Sequence, residues 1–429
     1  VKRNTVIFLL WLTLASSAAS APIRNVILCI GDGMGPGQVA AARCFAGTNL
    51  VFEEFPYQSR VTTVAAGGAL TDSAAAATAL ATGHKADDGV ISLAIPGDGR
   101  ELETLLEYFS KLDKSTGLVT TSYLTDATPA GFGAHETSRY NQPQIANDYL
   151  WQTRPNVLFG GGGDGLYAAD AQAAGYRVVT DAASLAALQG GAGGHVAGLF
   201  GAGPLPYVYD GLGDMPSLLQ MTETALAILG KDPDGFFLMV EGGRIDHACH
   251  ANDLPRCVPE TLAFDEAVRA IAAWAKNRTD TLVLVTADHE TGGLTVLTDN
   301  GAGALPEVEW TTGGHTFTPV NVYGIGVNAS LVTQAVDNVD IHGIALSAGL
   351  MPAVGVGVEW ATQGLTLTQW AVSSGDVCRV EYTPTLKPLA WQPCGVVTAG
   401  STRVSFVTTN TTACPQGFYR MISTGTDGK

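Results

Sequence analysis

Basic residues are scarce in this chain. Lys and Arg number 23 against 40 Asp and Glu over 429 residues, a formal charge of −17. Affinity for a nucleic-acid backbone rests on clustered Lys and Arg, so nucleic acid is excluded as a partner. Charged residues of both signs reach only 15% against 46% hydrophobic ones, with a mean hydropathy of +0.17. That balance excludes an intrinsically disordered chain. Cysteine is sparse at seven residues, and a chain of this length buries a large core without a disulfide scaffold. Long apolar runs are missing as well. The run Val6–Leu14 falls short of the ~20 residues that cross a bilayer, and no other stretch approaches that length. With only eight His, their positions carry information, whereas Gly is abundant at 52 residues.

Lys2 and Arg3, the apolar run Val6–Leu14 and the small residues of ASSAASA form the pattern of a secretory signal peptide over 1–21. The expectation is a secreted or periplasmic protein with no membrane span once mature. The cysteines suit an oxidising compartment. Cys29 reads as a buried free thiol, Cys249 and Cys257 flank a short loop and could pair, and one pair is expected among Cys378, Cys394 and Cys414.

Apolar runs such as Asn25–Ile30, Thr116–Ser122, Gly235–Val240 and Thr281–Ala287 alternate with helical stretches at Leu102–Leu112, Thr222–Leu229 and Thr261–Lys276. Such alternation predicts an α/β fold, a three-layer α/β/α sandwich with a central, mostly parallel sheet, over residues 22–348. The Gly- and Ala-rich tract from Gly160 to Gly203 reads as a surface excursion; it lacks the Lys-Ser/Thr ending of a phosphate-binding loop. Beyond it, 349–429 alternates apolar and polar residues between closely spaced turns, predicting a small C-terminal all-β module.

Three predicted strands run directly into acidic or imidazole groups: Asp32 after the first, Glu241 through Asp246, His247 and His250 after another, and Asp288 and His289 after a third. In open parallel sheets the site lies beyond the carboxyl ends of the strands, so these groups should converge. Buried carboxylates need a counter-charge, and carboxylate with imidazole selects zinc while oxygen donors alone suit magnesium. Asp246 and His250 are one helical turn apart, and His315 opens a later segment. Ser73, after Asp72, precedes the alanine-rich stretch 74–83 and should stand at a helix N-terminus, where Asp and Ser are also ordinary caps. Arg139 follows Asp126 and Thr128 and offers a planar fork to a phosphoryl group.

Together IGDGMG (30–35), TDSAAAATALATG (71–83), DATPAGFGAHETSR (126–139), VEGGRIDHACH (240–250), TADHET (286–291) and GGHTFTPV (313–320) resemble the alkaline phosphatase family, in its order of motifs. The resemblance implies hydrolysis of phosphate monoesters, as small-molecule substrates, through a phosphoserine on Ser73, with Arg139 as the phosphate clamp. It implies a first zinc ion on Asp246, His250 and His315, and a second on Asp32, Asp288 and His289 with Ser73 reaching it. One magnesium ion is implied on Asp32, Thr128 and Glu241, with Asp126 acting through water and Asp72 and His247 nearby. The Asp126/Thr128 pair is similar to bacterial members and His247 to vertebrate ones. Only 25 residues separate His289 from His315, where larger relatives carry an inserted lobe, so a homodimer is left open. Two readings compete: a phosphodiesterase of the same superfamily, disfavoured by the magnesium set, and a secreted metal-storing binding or adhesion protein. A sulfatase is disfavoured because Ala-Ala-Ala follows Ser73.

Overall fold

Runs of β-branched and aromatic residues supply the strands that place the site. The computed structural model describes residues 23–188 and 194–349, and beyond them the backbone of six strands between 357 and 423. The signal segment and the side chains of Cys378, Cys394 and Cys414 lie outside the described residues. Strands β1 (Asn25–Gly31), β2 (Tyr57–Val61), β3 (Ser115–Tyr123), β4 (Val157–Gly162), β5 (Arg177–Val179), β6 (Val196–Ala202), β7 (Phe236–Gly242) and β8 (Thr281–Thr286) run in one direction. Short strands β9 (Glu290–Thr291), β10 (Thr295–Thr298), β11 (Glu307–Glu309) and β12 (His315–Thr316) follow. Strand β13 (Val320–Gly326) is antiparallel to both β8 and β2. The nine-stranded sheet has the order β2-β13-β8-β1-β7-β3-β4-β6-β5, the mostly parallel sheet that the alternation predicts.

The helices are α1 (Pro36–Ala46), α2 (Ser73–Thr82), α3 (Leu105–Ser110), α4 (Ala127–Gly133), α5 (Gln142–Asp148), α6 (Ala168–Ala173), α7 (Ala182–Ala186), α8 (Leu218–Leu229), α9 (Arg244–His250), α10 (Leu254–Ala275) and α11 (Asn338–Gly349). Two neighbouring residues of β7 show the three layers. Phe236 packs on Trp274 of α10, with ring centroids 5.4 Å apart. Phe237 meets Phe109 of α3 at 5.5 Å and Phe132 of α4 at 5.9 Å. Successive strand side chains point to opposite faces, so α10 covers one face and α3 and α4 the other. None of the helices among the described residues is long and apolar enough to cross a membrane.

Several expectations are corrected. Helix α10 begins seven residues before the expected Thr261, because Asp253 accepts a hydrogen bond from the Arg256 N–H and Pro255 fits the first turn. Helix α3 is shorter than expected, since its capping box places the start after Thr104. The glycine-rich tract is not a surface excursion: the glycine end of β4, together with β5 and β6, lies in the main sheet, with Leu166, Val196, Ala197 and Phe200 buried. Glycine weakens a strand signal yet permits close approach; a Cβ at Gly160 would lie 2.7 Å from Thr120 Cγ2. Cys29 is a buried free thiol as expected. Cys249 and Cys257 are also free, with Sγ atoms 3.4 Å apart, beyond the ~2.05 Å of a disulfide.

The strands β14 (Gly357–Ala361), β15 (Gly364–Trp370), β16 (Val377–Thr383), β17 (Gln392–Thr398), β18 (Arg403–Thr408) and β19 (Phe418–Ser423) form two antiparallel sheets, β14-β15-β18 and β17-β16-β19.

Every residue of α2 is buried. Its alanines let α4 pack closely: a Cβ on Gly131 would stand 2.7 Å from Ala77 Cβ and 3.0 Å from the Ala77 carbonyl carbon. Gly131→Ala should therefore destabilise the fold by about 1–3 kcal/mol, the usual cost of overpacking. Urea unfolding measures it, and an unchanged midpoint would show that the two helices part freely.

Candidate metal centre

Four strands that are neighbours in the sheet, β8-β1-β7-β3, bring the acidic motifs to one edge. Asp32 follows β1, Glu241 lies at the end of β7, Asp288 and His289 follow β8, and Asp126 and Thr128 follow β3. Helix α9 starts after Gly243 and carries Asp246, His247 and His250. The turn after β1 needs glycine at position 33. Its φ is +66°, and a Cβ there would stand 2.8 Å from both Asp246 Oδ1 and Thr291 Oγ1. The Gly33 N–H donates to Asp288 Oδ1 at 3.0 Å, tying the end of β1 to the end of β8.

Ser73 is the first residue of α2, behind an Asp72 cap that accepts from the Ala75 N–H at 2.9 Å. Asp72 is thus the cap, and Ser73 stands beside it at the helix start. Ser73 Oγ lies 3.2 Å from His289 Nε2. Asp246, His250 and His315 form one group whose ligand atoms all lie within 4.8 Å of one another, and Asp32, Asp246 and His289 form a second. Asp288 stands beside that second group, its Oδ2 3.1 Å from His289 Nε2.

The tautomers of the three imidazoles follow from their partners. His250 Nδ1 lies 2.7 Å from the Gly313 carbonyl, and His315 Nδ1 lies 2.8 Å from the Thr71 carbonyl. A carbonyl only accepts, so each Nδ1 carries the proton. The Thr291 hydroxyl donates its one proton to Asp246 Oδ1 at 2.5 Å and accepts from His289 Nδ1 at 3.2 Å. All three rings thus direct Nε2 at the cluster, the arrangement of orienting partners typical of metal ligands, and on His250 that nitrogen shares a proton with Asp246 Oδ2 at 3.2 Å.

The electrostatics point the same way. Burial, and then Asp288, Asp246, Glu241 and Asp126, push Asp32 well above the usual carboxyl range. Burial and Asp126 push Glu241 up to about 8, although Thr120 Oγ1 donates to it at 2.5 Å. Burial raises Asp288 to about 6. For Asp246 burial is outweighed by His250 and His289, which hold it low. Its hydrogen bond with Asp246 raises His250 to about 9. Asp32 Oδ1, Asp288 Oδ2 and Thr128 Oγ1 are buried without a hydrogen-bond partner among the described residues. Stranded acceptor oxygens beside imidazole lone pairs fit divalent cations.

Arg139 faces this cluster with its fork held between carboxylates. Nη1 donates to Asp72 Oδ2 and Nη2 to Asp126 Oδ1, both at 3.1 Å. Burial works against its charge, but Asp126 and Asp72 outweigh it and hold the guanidinium firmly protonated. Asp126 also accepts from Ser122 Oγ at 2.6 Å. Glu290, Thr291 and Gln38 escape the motif reading of single residues. Glu290 accepts from Gln38 Nε2 at 3.2 Å and from Thr316 Oγ1, bracing α1 against the strand that carries His315. The acidic-hydroxyl ending of TADHET is the sequence signal for it.

These shifts set the pH response of the metal-free protein. In the unfolded chain carboxyls ionise near pH ~4, whereas in the folded state Asp288 and Glu241 keep their protons to about 6 and about 8. The folded state then binds more protons, so stability falls as pH rises through that window. His250 acts in the same direction: its contribution is complete below ~6.5 and is lost as pH rises through about 9. Chelator-treated protein should melt at a lower temperature at pH 9 than at pH 5, and zinc with magnesium should remove the difference. A flat melting profile without metal would contradict this account.

Residues 23–307 match the family model for alkaline phosphatase. The chain is 40% identical to alkaline phosphatase 3 of Bacillus subtilis over 306 residues, 65% of this chain and 63% of that one. It is 31% identical to the Escherichia coli alkaline phosphatase, over 76% of this chain and 86% of that one. The cold-active alkaline phosphatase of a psychrophilic Shewanella superposes with a TM-score of 0.69 at 30% identity, covering 75% of this chain and 99% of that one. The enzyme of the Antarctic bacterium TAB5 superposes at 0.68 with 29% identity, over 76% and 98%, and a variant of that enzyme holds magnesium in its M3 site. The chain spans less than two-thirds of the length of the Bacillus relative. On the match to more than half its length and on the structural agreement, this chain belongs to the alkaline phosphatase family.

Proposed function

We propose that the protein is an exported alkaline phosphatase that hydrolyses phosphate monoesters through a phosphoserine on Ser73. The observation that carries this reading is the placement of Ser73. Its hydroxyl sits at the N-terminus of a buried helix, 3.2 Å from an imidazole that presents a lone pair. Arg139's fork is fixed opposite by Asp72, the cap of that same helix.

The ligand sets proposed are Asp246, His250 and His315 for one zinc ion; Asp32, Asp288 and His289, with Ser73, for a second; and Asp32, Thr128 and Glu241 for magnesium, with Asp126 acting through water. Asp246 also groups with Asp32 and His289, so it would be available to the second ion as well. When bound, these ions would lower the pKa of the Ser73 hydroxyl and neutralise charge on the transferring group and the leaving oxygen. The chain's own part is positioning. The free N–H groups and dipole of α2 favour an anion over Ser73. Arg139 orients two oxygens of the phosphoryl group, and Asp72 and Asp126 keep its plane in place. Ser73 Oγ forms the new P–O bond as the ester P–O bond breaks and the alcohol leaves. Water then displaces the serine oxygen, releasing inorganic phosphate and restoring the hydroxyl.

The protein loaded with zinc and magnesium should hydrolyse p-nitrophenyl phosphate far faster than its bis-ester, and thorough chelation should abolish turnover. Faster cleavage of the diester would favour the phosphodiesterase reading; binding without turnover would favour the metal-storing one. Ser73→Ala should lose any trapped phosphoenzyme and lower kcat by at least ~10³-fold, since it removes the nucleophile itself. A phosphoenzyme persisting in that variant would sink the assignment.

We also assign the catalytic unit to residues 22–348 and a separate β-rich module to 349–429. Deleting the module should leave kcat/KM within about twofold, because every proposed ligand precedes it. Loss of activity in a folded truncation would show that the module belongs to the catalytic unit.

A further inference from the structure

Glu290 follows the proposed zinc ligand His289 and is 2% exposed, yet it joins neither ligand group. Its partners are three neutral donors: Gln38 Nε2 and the Leu294 N–H on Oε1, each at 3.2 Å, and the Thr316 hydroxyl on Oε2. Burying a carboxylate without a cation is costly, and an ionised one meets all three donors as an acceptor only. The turn after β1 makes room for it. A Cβ on Gly35 would lie 2.7 Å from Glu290 Cβ and closer still to its Cγ, although the Gly35 backbone is extended and would suit any residue.

Thr316 is the partner that bears on a metal. Strand β12 has only two residues, with His315 opposite Thr291 and Thr316 opposite Glu290. So short a pairing fixes little by itself. The Glu290–Thr316 bond adds a side-chain tie across it, and Gln38 secures the facing strand by donating to the Thr291 carbonyl at 2.6 Å. From this pairing His315 reaches out with Nε2 3.2 Å from His250 Nε2, its ring stacked on His289 with centroids 3.6 Å apart. His289 has supports of its own. It is fully buried, its N–H donates to Asp288 Oδ1 at 2.9 Å, and its Nδ1 is held by Thr291. The His315 ring is steered by the Thr71 carbonyl, but its backbone depends on β12.

We propose that Glu290 is a positioning residue: through Thr316 it sets where His315 stands, and so it raises the zinc affinity of the Asp246, His250 and His315 set while leaving the Asp32, Asp288 and His289 set nearly untouched. The two zinc sets belong to the phosphatase reading, on which this inference rests; the tie between Glu290 and Thr316 does not. Replacing the carboxylate by an amide shows why its charge matters. Gln at position 290 must turn its NH2 either against Gln38 and the Leu294 N–H or against Thr316. Of these donors only the Thr316 hydroxyl can rotate away, so the tie to β12 is the one given up.

The test measures zinc bound by the full-length, metal-free protein across a series of zinc buffers at constant magnesium. His315→Ala identifies the binding step that belongs to the His315 set. Glu290→Gln should raise the dissociation constant of that step about tenfold, a usual cost of losing a partner behind a metal ligand. The other zinc step should move by less than about twofold. Thr316→Val, which keeps the shape and loses the donor, should match Glu290→Gln, and Thr316→Ser should keep the native constants. The double variant Glu290→Gln/Thr316→Val should bind no more weakly than either single one. A brace that served stability alone would lower the melting temperature and leave the two constants in their native ratio. A His315-dependent step that ignores Glu290→Gln and Thr316→Val overturns the proposal, as do equal shifts of both steps or additive effects of the two variants. If Glu290→Gln does not fold, Thr316→Val carries the test with the same outcomes. Zinc binding that His315→Ala leaves unchanged refutes the ligand sets and the proposal with them. A His315-dependent step without monoester turnover refutes the phosphatase reading, while the two constants still decide Glu290's assignment.

Discussion

Asp32, Asp126, Glu241, Asp246 and Asp288 are drawn into one buried space by strand ends that are neighbours in the sheet. Their mutual repulsion and their loss of water are the terms that the rest of the edge answers. Taking a carboxylate out of water costs several kcal/mol unless an opposite charge or strong donors compensate. The protein supplies some compensation itself: the Gly33 and His289 N–H groups on Asp288, the Thr291 hydroxyl on Asp246, and the Thr120 hydroxyl on Glu241. Among the described residues Arg139 brings a permanent positive charge, and it is already shared between Asp72 and Asp126. The remainder is what the cations proposed above would answer.

The same constraint explains the small residues around the site. Three strand ends can crowd their acids together only if the turns between them are narrow. Gly33 occupies a left-handed turn against Asp246 and Thr291. The helix that carries Ser73 is nearly all alanine and is covered on every side, so its axis can approach α4 as closely as Gly131 allows. Packing of this kind fixes where Ser73 stands, beside the Asp72 cap. Rigidity here comes from the absence of side-chain volume.

Much of this was legible in the sequence because the signals were local. Apolar runs ending in Asp32, Glu241 and Asp288 marked strand ends, and the four-residue spacing of Asp246 and His250 marked a helical turn. The alternation of apolar runs with helical stretches supplied the fold, and the order of motifs supplied the family. Other features were hidden for physical reasons. Strands β4 and β6 carry Gly at several positions where close approach matters, and this erases the strand signal that a pattern depends on. The bracing role of Glu290 joins residues far apart along the chain, so no local spacing marks it. The Cys249–Cys257 spacing suggested a bond that the two helices do not make.

The two proposed zinc sets differ in their access to solvent. His289 and Asp288 are fully buried, whereas the His250 side chain keeps 42% of its surface exposed and His315 keeps 14%. A chelator arriving from solvent meets the His250 set first, while ligands behind Ser73 become reachable only by local opening of the strand ends. Loss of the two ions would then be ordered in time, with a fast phase from the rim and a slow phase from the floor. The protein could pass through a half-loaded form in which the inner centre still holds its ion after the outer one has gone.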